Sequence, residues 1–233
     1  RWDRRRAEQP GPNHDAAIRG IVVDVAYDWE EDAPLRRRAE DLVIYELHVG
    51  GFTRHASSGV ARPGTFAGLI EKIPYLQELG VNMLHLMPML KCPEGASDGG
   101  YAVSDFRNID ARYGTLEQLR ELSGRMRRRN MLLTLDMVLN HTSDEHPWAQ
   151  SARAGDKRHE EYYHIFPDRE VPDMYEETMP EIFPETAPGN FTWDEAMGKW
   201  VMTEFNTYQW DLNYYNPDVF IETADNILFW DTP

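Results

Sequence analysis

The stretch from Met131 to His141, MLLTLDMVLNH, restricts the fold more than any other part of the chain. Its apolar run is typical of a strand that is buried on both faces of a parallel sheet. The run is interrupted by Asp136 and ends in Asn140 and His141. Enzymes built on parallel sheets carry their chemistry at the carboxyl ends of the strands. These three polar residues therefore indicate a candidate site at one end of a buried strand.

Two further strands and two helices precede this stretch. Apolar runs predict strands over residues 42–49 and 81–87. Between them, apolar residues at helical spacing follow Thr65, and Pro74 predicts a kink or a late start of that helix. A second helix follows Thr115, a favourable N-cap, and ends in basic residues. The alternation of strand and helix predicts an α/β fold with a parallel sheet and right-handed crossovers.

This alternation breaks after Thr142. Residues 142–209 are rich in proline, acidic residues and aromatic residues, and they are too many for an ordinary loop, so we expect an inserted subdomain. A last helix is predicted from Pro217 to about Trp230. Its expected apolar face consists of five residues: Val219, Phe220, Ala224, Ile227 and Leu228.

Charge and cysteine content exclude several classes of partner. The 233 residues carry 24 Lys and Arg against 40 Asp and Glu, a net charge of −16. Nucleic acids and anionic membranes both require a basic face, so neither is expected as a partner. The single cysteine, Cys92, cannot form an internal disulfide, and no apolar run approaches the ~20 residues of a membrane span. These features favour a cytoplasmic protein.

The sequence contains no motif that calls for a cofactor or a metal. It has no phosphate-binding loop, no dinucleotide-binding GxGxxG and no GxSxG elbow. The segment HEEYYH, residues 159–164, has histidines five positions apart, whereas the zinc metalloprotease motif requires four. We therefore expect neither a cofactor nor a metal site.

Two interpretations of DMVLNH remain open on spacing alone. Asp136 could be a strand-end carboxylate with structural hydrogen bonds, or a residue of the site. His141 has no apolar pattern around it, which favours a role facing a ligand. The many aromatic residues among Asp, Asn and Gln suit a polar, flat-faced ligand such as a sugar.

The strand followed by DxxxNH, preceded by a strand that ends in Met-Pro and a loop with Gly-Tyr, resembles the alpha-amylase family of glycoside hydrolases and transglycosidases. In detail, residues 82–230 resemble its amylosucrase branch, through MPMLKCPEGASDGGYAVSDFRNID, NHTSDEHPWAQ and FNTYQWDLNYYNPDVF. Residues 24–81 instead resemble the isoamylase and glycogen-debranching branch, so the chain reads as a mosaic with a seam near Gly80 and Val81.

The resemblance implies a (β/α)8 barrel with an inserted domain after its third strand. This chain would supply about the first three strand–helix units of a partial TIM barrel. The expected division has four parts: a lead-in over 1–40, three strands and two helices over 41–141, the inserted subdomain over 142–209, and a return to the third barrel helix over 210–233.

The resemblance also assigns roles to individual residues. It implies that His141 hydrogen-bonds the glucosyl unit at the cleavage subsite, that Tyr101 stacks on this unit, and that Asp98 shapes the blind end of the pocket. Four further positions follow from it: Phe205 and Gln209 line the cleft, and Asp136 and Asn140 support the loop from behind. A sugar ring offers an apolar face to an aromatic side chain and hydroxyls to charged groups, which agrees with these roles.

Members of the family cleave or transfer α-glucosyl groups with retention, using an Asp nucleophile and a Glu acid/base about 5–5.5 Å apart. We expect both, and the Asp that stabilises the transition state, to lie beyond Pro233, so no catalytic residue is assigned in this chain. Asp211 and Glu204 are not placed in those roles.

Three functions therefore remain at the sequence level. The first is glucosyl transfer from sucrose to an α-1,4-glucan, as in amylosucrases, with this chain inactive alone. The second is α-1,6 debranching of glycogen. The third is a non-catalytic chain that binds glucan weakly at most.

Overall fold

The computed structural model describes residues 37–231. The predicted lead-in over residues 1–40 therefore lies almost entirely outside the described residues, as does the first part of the debranching-like stretch. The first described element is a 3₁₀ helix at Ala39–Asp41.

The first half of the described chain alternates between strands and helices. Two short 3₁₀ turns, Ala56–Ser58 and Asp98–Gly100, lie in its loops. The remaining elements, in chain order, are β1 (Ile44–Leu47), α1 (Val49–Phe52), α2 (Phe66–Glu71), α3 (Ile73–Glu78), β2 (Met83–Leu86), β3 (Leu90–Lys91), β4 (Asp105–Ile109), α4 (Leu116–Arg127) and β5 (Leu132–Leu135).

Strands β1, β2 and β5 form the predicted parallel sheet, in that order, with β2 in the centre. The α/β prediction is confirmed, and among the described residues the sheet is an open part of a barrel. The prediction that β5 is buried on both faces is wrong, because its residues are only half-buried. The reason is that β5 is an outer strand, with β2 as its sheet neighbour in the described chain.

The two predicted helices begin where their capping residues place them. The Thr65 side chain accepts a hydrogen bond from the Gly68 amide, and Thr115 forms a capping box with Gln118. The first helix is divided at Lys72, and Pro74 lies in the first turn of α3, where its missing amide hydrogen costs no helical bond. The predicted kink is thus a break between two short helices.

The main hydrophobic core lies between the parallel sheet and helices α2, α3 and α4. Its fully buried members include Phe66, Leu76, Leu84 and Leu122. The core therefore packs these helices against the sheet, and the loops that form the candidate site follow the carboxyl ends of its strands.

The second half begins with a short antiparallel pair, β6 and β10, in which His141 lies opposite Asp211. Between them, β7, β9 and β8 form a small antiparallel sheet. A second hydrophobic cluster centres on Tyr163, Val201 and Trp210. The elements are β6 (His141–Ser143), α5 (Pro147–Arg153), α6 (Lys157–Glu160), β7 (Ile165–Phe166), α7 (Glu170–Glu176), β8 (Phe191–Asp194), β9 (Lys199–Met202), β10 (Gln209–Asp211) and α8 (Pro217–Asp231).

Helix α8 has the predicted bounds, but its predicted apolar face is wrong. Of the five residues expected there, Val219 is buried, whereas Phe220 and Leu228 are 64% and 60% exposed. The buried side carries Val219, Thr223 and Asn226. Polar anchors select this side, because Arg107 Nε donates to Asn226 Oδ1 at 2.8 Å and the indole of Trp230 donates to the Phe106 carbonyl at 2.7 Å.

Among the helices of the described residues, none combines the length and the apolar character that a membrane crossing requires.

Candidate functional site

A cavity of about 620 Å³ opens at the carboxyl ends of the parallel strands. The segment from Asp136 to His141 forms one wall, and the Asp98–Tyr101 turn forms another. His48 and Met87 reach it from the ends of β1 and β2, and two aromatic rings come from the second half of the chain: Phe183 and Phe205. The cavity therefore lies where the strand-end argument predicts a site.

The Asp98 turn has an unusual backbone. Asp98 itself has a φ of 47°, which few residues other than glycine adopt, and Gly99 and Gly100 follow at 66° and 110°. A Cβ on Gly100 would lie 2.7 Å from the carbonyl oxygen of Pro88, so only glycine fits there. Strained backbone of this kind is found mainly at functional sites, where the surrounding structure holds it.

Tyr101 and Asp136 are joined across the cavity by a hydrogen bond. The Tyr101 hydroxyl donates to Asp136 Oδ2 at 3.1 Å. Burial, and then the Asp136 charge, raise the pKa of the Tyr101 phenol, so it remains neutral at physiological pH. Asp136, for which a structural and a site role were both open, has a structural hydrogen bond and also lines the cavity.

His141 begins β6 and is only 3% exposed. Its Nε2 lies 3.2 Å from the Tyr101 carbonyl oxygen and 3.0 Å from Gln209 Nε2, and its ring centroid lies 5.1 Å from that of Phe205. Desolvation lowers the pKa of His141 to about 4, so the imidazole is neutral at pH 7. A neutral imidazole offers one donor and one acceptor to its surroundings.

Gln209 lies behind the pocket wall. It is fully buried and is absent from the cavity lining, in contrast to the other four residues expected to contact substrate. Its Nε2 donates to Asp98 Oδ2 at 3.2 Å, and its Oε1 accepts from the Asn206 amide at 2.9 Å. Gln209 thus reaches the cavity through Asp98 and His141.

Asn140 and Asp211 form a pair beside His141. Asn140 Nδ2 donates to Asp211 Oδ1 at 2.6 Å, and the Glu204 amide donates to Asp211 Oδ2 at 2.6 Å. Desolvation is the main cause that raises the pKa of the Asp211 carboxyl to about 7. Asn140, expected behind the loop, also lines the cavity.

Outside the Asp98–Tyr101 turn and the segment from Asp136 to His141, three residues of the lining were not predicted from the sequence: His48, Met87 and Phe183. His48 and Met87 follow directly on β1 and β2, so the argument used for Asp136 could have found them. His48 is held by Tyr113, whose hydroxyl lies 3.0 Å from its Nε2. Phe183 lies 6.3 Å from Phe205, ring centroid to ring centroid, and no local pattern in the sequence marks it.

The cavity combines aromatic faces with hydrogen-bonding groups, a combination that suits a polyhydroxylated ring. Its two carboxylates, Asp98 and Asp136, each already accept a side-chain hydrogen bond. Within the part of the chain that the structure describes, no three His, Cys, Asp or Glu side chains converge as a metal site would require.

Comparison with known proteins gives a consistent result. The family model described as "Alpha amylase, catalytic domain" matches residues 40–232. A trehalose synthase from Pimelobacter sp. (strain R48) is 35% identical over 188 residues, covering 81% of this chain and 31% of that enzyme. An oligo-1,6-glucosidase from Parageobacillus thermoglucosidasius is 33% identical, covering 82% of this chain and 32% of that enzyme.

Among solved structures, a mutant of the trehalulose synthase MutB of Pseudomonas mesoacidophila MX-45, in complex with the substrate sucrose, superposes with a TM-score of 0.70. The MutB mutant is 30% identical in sequence to this chain, and the match covers 82% of this chain and 33% of the MutB chain. The chain thus spans about a third of the length of these relatives.

Proposed function

Because this chain belongs to the alpha-amylase family, we propose that its strand-end cavity binds one glucosyl unit of an α-glucoside. The observation that carries the proposal is the convergence of Asp98, Tyr101, His141 and Phe205 on one cavity. In this role Tyr101 supplies an aromatic face, and Asp98 and His141 supply hydrogen-bonding partners for the sugar hydroxyls. Gln209, Asp136 and Asn140 hold these side chains in place.

For the whole protein, we propose glucosyl transfer from sucrose to an α-1,4-glucan with retention of configuration, as in amylosucrases. Retention requires a covalent glucosyl-enzyme intermediate on a carboxylate nucleophile. The motifs of residues 82–230 support this reaction. So does the likeness to MutB, a relative whose solved mutant holds sucrose.

A second candidate is hydrolysis of α-1,6 bonds. Two observations favour it: the debranching-like sequence of residues 24–81, and the identity of 33% to an oligo-1,6-glucosidase. In both candidates the glucosyl unit occupies the same cavity, so the two differ in the leaving group and in the acceptor. The division into three barrel units and an inserted subdomain over 142–209 is part of either proposal.

We further propose that the 233 residues bind a sugar without cleaving it. Retaining chemistry requires a nucleophile and an acid/base carboxyl about 5–5.5 Å apart. The carboxylates of the cavity lining, Asp98 and Asp136, are instead bonded to Gln209 and Tyr101. We expect the reacting pair to come from the part of the barrel that the relatives have and this chain does not match.

Activity measurements test this proposal. The purified chain is incubated with sucrose and, separately, with glycogen, and released glucose and new polymer are measured. We expect neither to rise above a heat-denatured control. Turnover on sucrose would overturn the binding-only proposal and favour the transferase, whereas turnover on glycogen alone would favour α-1,6 hydrolysis.

A further inference from the structure

We propose that Asp211, acting through Asn140, determines which ring nitrogen of His141 carries the hydrogen, and is thus a positioning residue of the pocket. The choice of tautomer follows from the hydrogen bonds that run from Asp211 to the imidazole, and its consequence for sugar binding rests on the proposed function.

The roles of the two Asp211 oxygens differ. The Glu204 backbone amide lies 2.6 Å from Oδ2 and can only donate, so Oδ2 must accept. This leaves Oδ1 facing Asn140 at 2.6 Å. As long as Asp211 is ionised, Oδ1 is also an acceptor, and the Asn140 amide must present its nitrogen.

The same Asn140 nitrogen faces His141. It lies 3.3 Å from His141 Nδ1, so one of its hydrogens bonds Asp211 and the other points to the imidazole. An amide nitrogen has no acceptor capacity, so Nδ1 must accept. The ring hydrogen is then on Nε2, which donates to the Tyr101 carbonyl oxygen at 3.2 Å.

The Nε2 side of the imidazole ring is compatible with either tautomer. With the hydrogen on Nε2, the Tyr101 carbonyl is its acceptor, and with the hydrogen on Nδ1, Nε2 can accept from Gln209 Nε2 at 3.0 Å. The Nε2 side thus has a partner for both tautomers and does not choose between them. The choice is made on the Nδ1 side, by Asn140 and hence by Asp211.

A donor in place of Asp211 Oδ1 should reverse the tautomer. In Asp211→Asn the Glu204 amide keeps the side-chain oxygen at the Oδ2 position, so the new amide nitrogen faces Asn140. Asn140 must then turn its side-chain oxygen to the place that its nitrogen occupied. There the oxygen accepts from the new amide at position 211 and from His141 Nδ1. His141 would carry its hydrogen on Nδ1, and its Nε2 would become an acceptor toward Gln209.

Protonation of Asp211 should have the same effect, because the acid hydrogen would lie on Oδ1. Three titratable residues contact or pair with Asp211 through their main chain: Glu204, whose amide donates to Oδ2, His141, its register partner on β6, and His164, whose amide donates to the Asp211 main-chain carbonyl. The Glu204 charge adds to burial in raising the pKa of Asp211 to about 7. The pKa of His141 is about 4, so the imidazole stays neutral while Asp211 titrates.

The consequence for the pocket is a change in the hydrogen bonding of His141, which lines the cavity, and of Gln209 behind it. With the hydrogen on Nε2, the imidazole edge is a donor already engaged by the Tyr101 carbonyl, and Gln209 keeps a hydrogen free for another acceptor. With the hydrogen on Nδ1, the Nε2 edge is an acceptor already engaged by Gln209. The two tautomers would therefore bind the same hydroxyl with different strength.

The test is nitrogen NMR of the full chain with ¹⁵N-labelled histidine, which distinguishes protonated from unprotonated ring nitrogens. His141 is identified by the signals that are lost in His141→Gln. At pH 9 we expect the Nε2–H form in the wild type and the Nδ1–H form in Asp211→Asn. The matched control is Asp136→Asn, which makes the same change from carboxylate to amide in the cavity lining and should retain the Nε2–H form.

The wild type alone provides a second measurement, so the proposal does not depend on the folding of a variant. Lowering the pH from 9 to 5.5 should convert His141 from the Nε2–H to the Nδ1–H form. An Nδ1–H form at pH 9, an unchanged tautomer in folded Asp211→Asn, or no conversion on acidification would each overturn the proposal. These readouts involve no sugar, so failure of the proposed function would appear separately, as loss of glucose binding.

Discussion

At the residue scale, the proposed role of Tyr101 in the pocket has two separable parts. Tyr101 lines the cavity, where its ring would stack on a sugar, and its hydroxyl donates to Asp136. Tyr101→Phe removes only the hydrogen bond, so we expect a loss of about 1 kcal/mol in the free energy of unfolding, measured with urea. Glucose affinity should fall less in Tyr101→Phe than in Tyr101→Ala, because the ring remains. Equal losses of affinity in the two variants would contradict the stacking role.

His146 predicts a pH dependence of stability. It is buried between Phe106 and Trp148, and desolvation lowers its pKa to about 4. In the unfolded chain its pKa is close to 6.5, so between these values the unfolded state binds more protons and stability falls as pH decreases. His146 alone should therefore remove about 2 kcal/mol of stability between pH 7 and pH 5.

The variant His146→Asn tests this contribution. Asparagine can still accept the Trp148 amide hydrogen at the N-cap of α5, as His146 Nδ1 does at 3.2 Å. Urea unfolding at pH 7 and pH 5 should show a smaller loss on acidification in the variant than in the wild type. Other titrating groups, including Asp211, whose raised pKa acts in the opposite direction, are common to both proteins. Equal losses would mean that His146 is readily protonated in the folded state.

Sequence reasoning identified pocket residues where a general rule or a motif marked them. Asp136 followed from the strand-end rule, and Tyr101 and Asp98 from the family motif. The same rule was not applied to His48, although this residue directly follows β1. Phe183 could not have been found, since its position depends on how the second half of the chain folds over the sheet.

At the element scale, helix α8 shows how polar anchors decide which side of a helix is buried. Its buried side contains Thr223 and Asn226, and its exposed side contains Phe220 and Leu228. Apolar periodicity placed Phe220 and Leu228 on the buried side together with Val219, since it cannot take account of partners such as Arg107, which is 119 positions from Asn226 in the sequence. The bounds of α8 were predictable because Pro217 is favoured at a helix start.

Two alanine variants of α8 test this account. Asn226→Ala removes the acceptor of Arg107, so we expect a loss of about 1–3 kcal/mol in the free energy of unfolding. Leu228→Ala removes a side chain that is 60% exposed, so the expected change is within about 0.5 kcal/mol. Urea denaturation of both variants gives the comparison. A larger loss of unfolding free energy in Leu228→Ala than in Asn226→Ala would show that the side of the helix with Leu228 is the buried one.

At the scale of the whole molecule, the described residues join two parts with different packing. One is a three-stranded parallel sheet with its own core, and the other is an assembly of short helices and antiparallel strands around a second hydrophobic cluster. The candidate pocket receives side chains from both: Tyr101 and Asp136 from the first, and Phe183 and Phe205 from the second. Its shape therefore depends on the second half being folded.

The overall architecture was largely predictable, since hydrophobic periodicity reveals strand and helix alternation directly. The limits lay in long-range packing. The sequence could not show that β5 is half-buried or that Gln209 lies behind the pocket wall, because both facts depend on which elements are neighbours. The second half also lacks a regular period, so its small sheet was expected only as an undefined subdomain.

The central claim is that this cavity binds a glucosyl unit, and saturation-transfer NMR with methyl α-D-glucoside tests it most directly. We predict transfer to the sugar protons in the wild type and in Tyr215→Ala, a control at a tyrosine that is 91% exposed and outside the pocket lining. The signal should be lost in Tyr101→Ala and in His141→Ala, with folding verified by circular dichroism. No transfer in the folded wild type, or equal transfer in Tyr101→Ala, would contradict the claim.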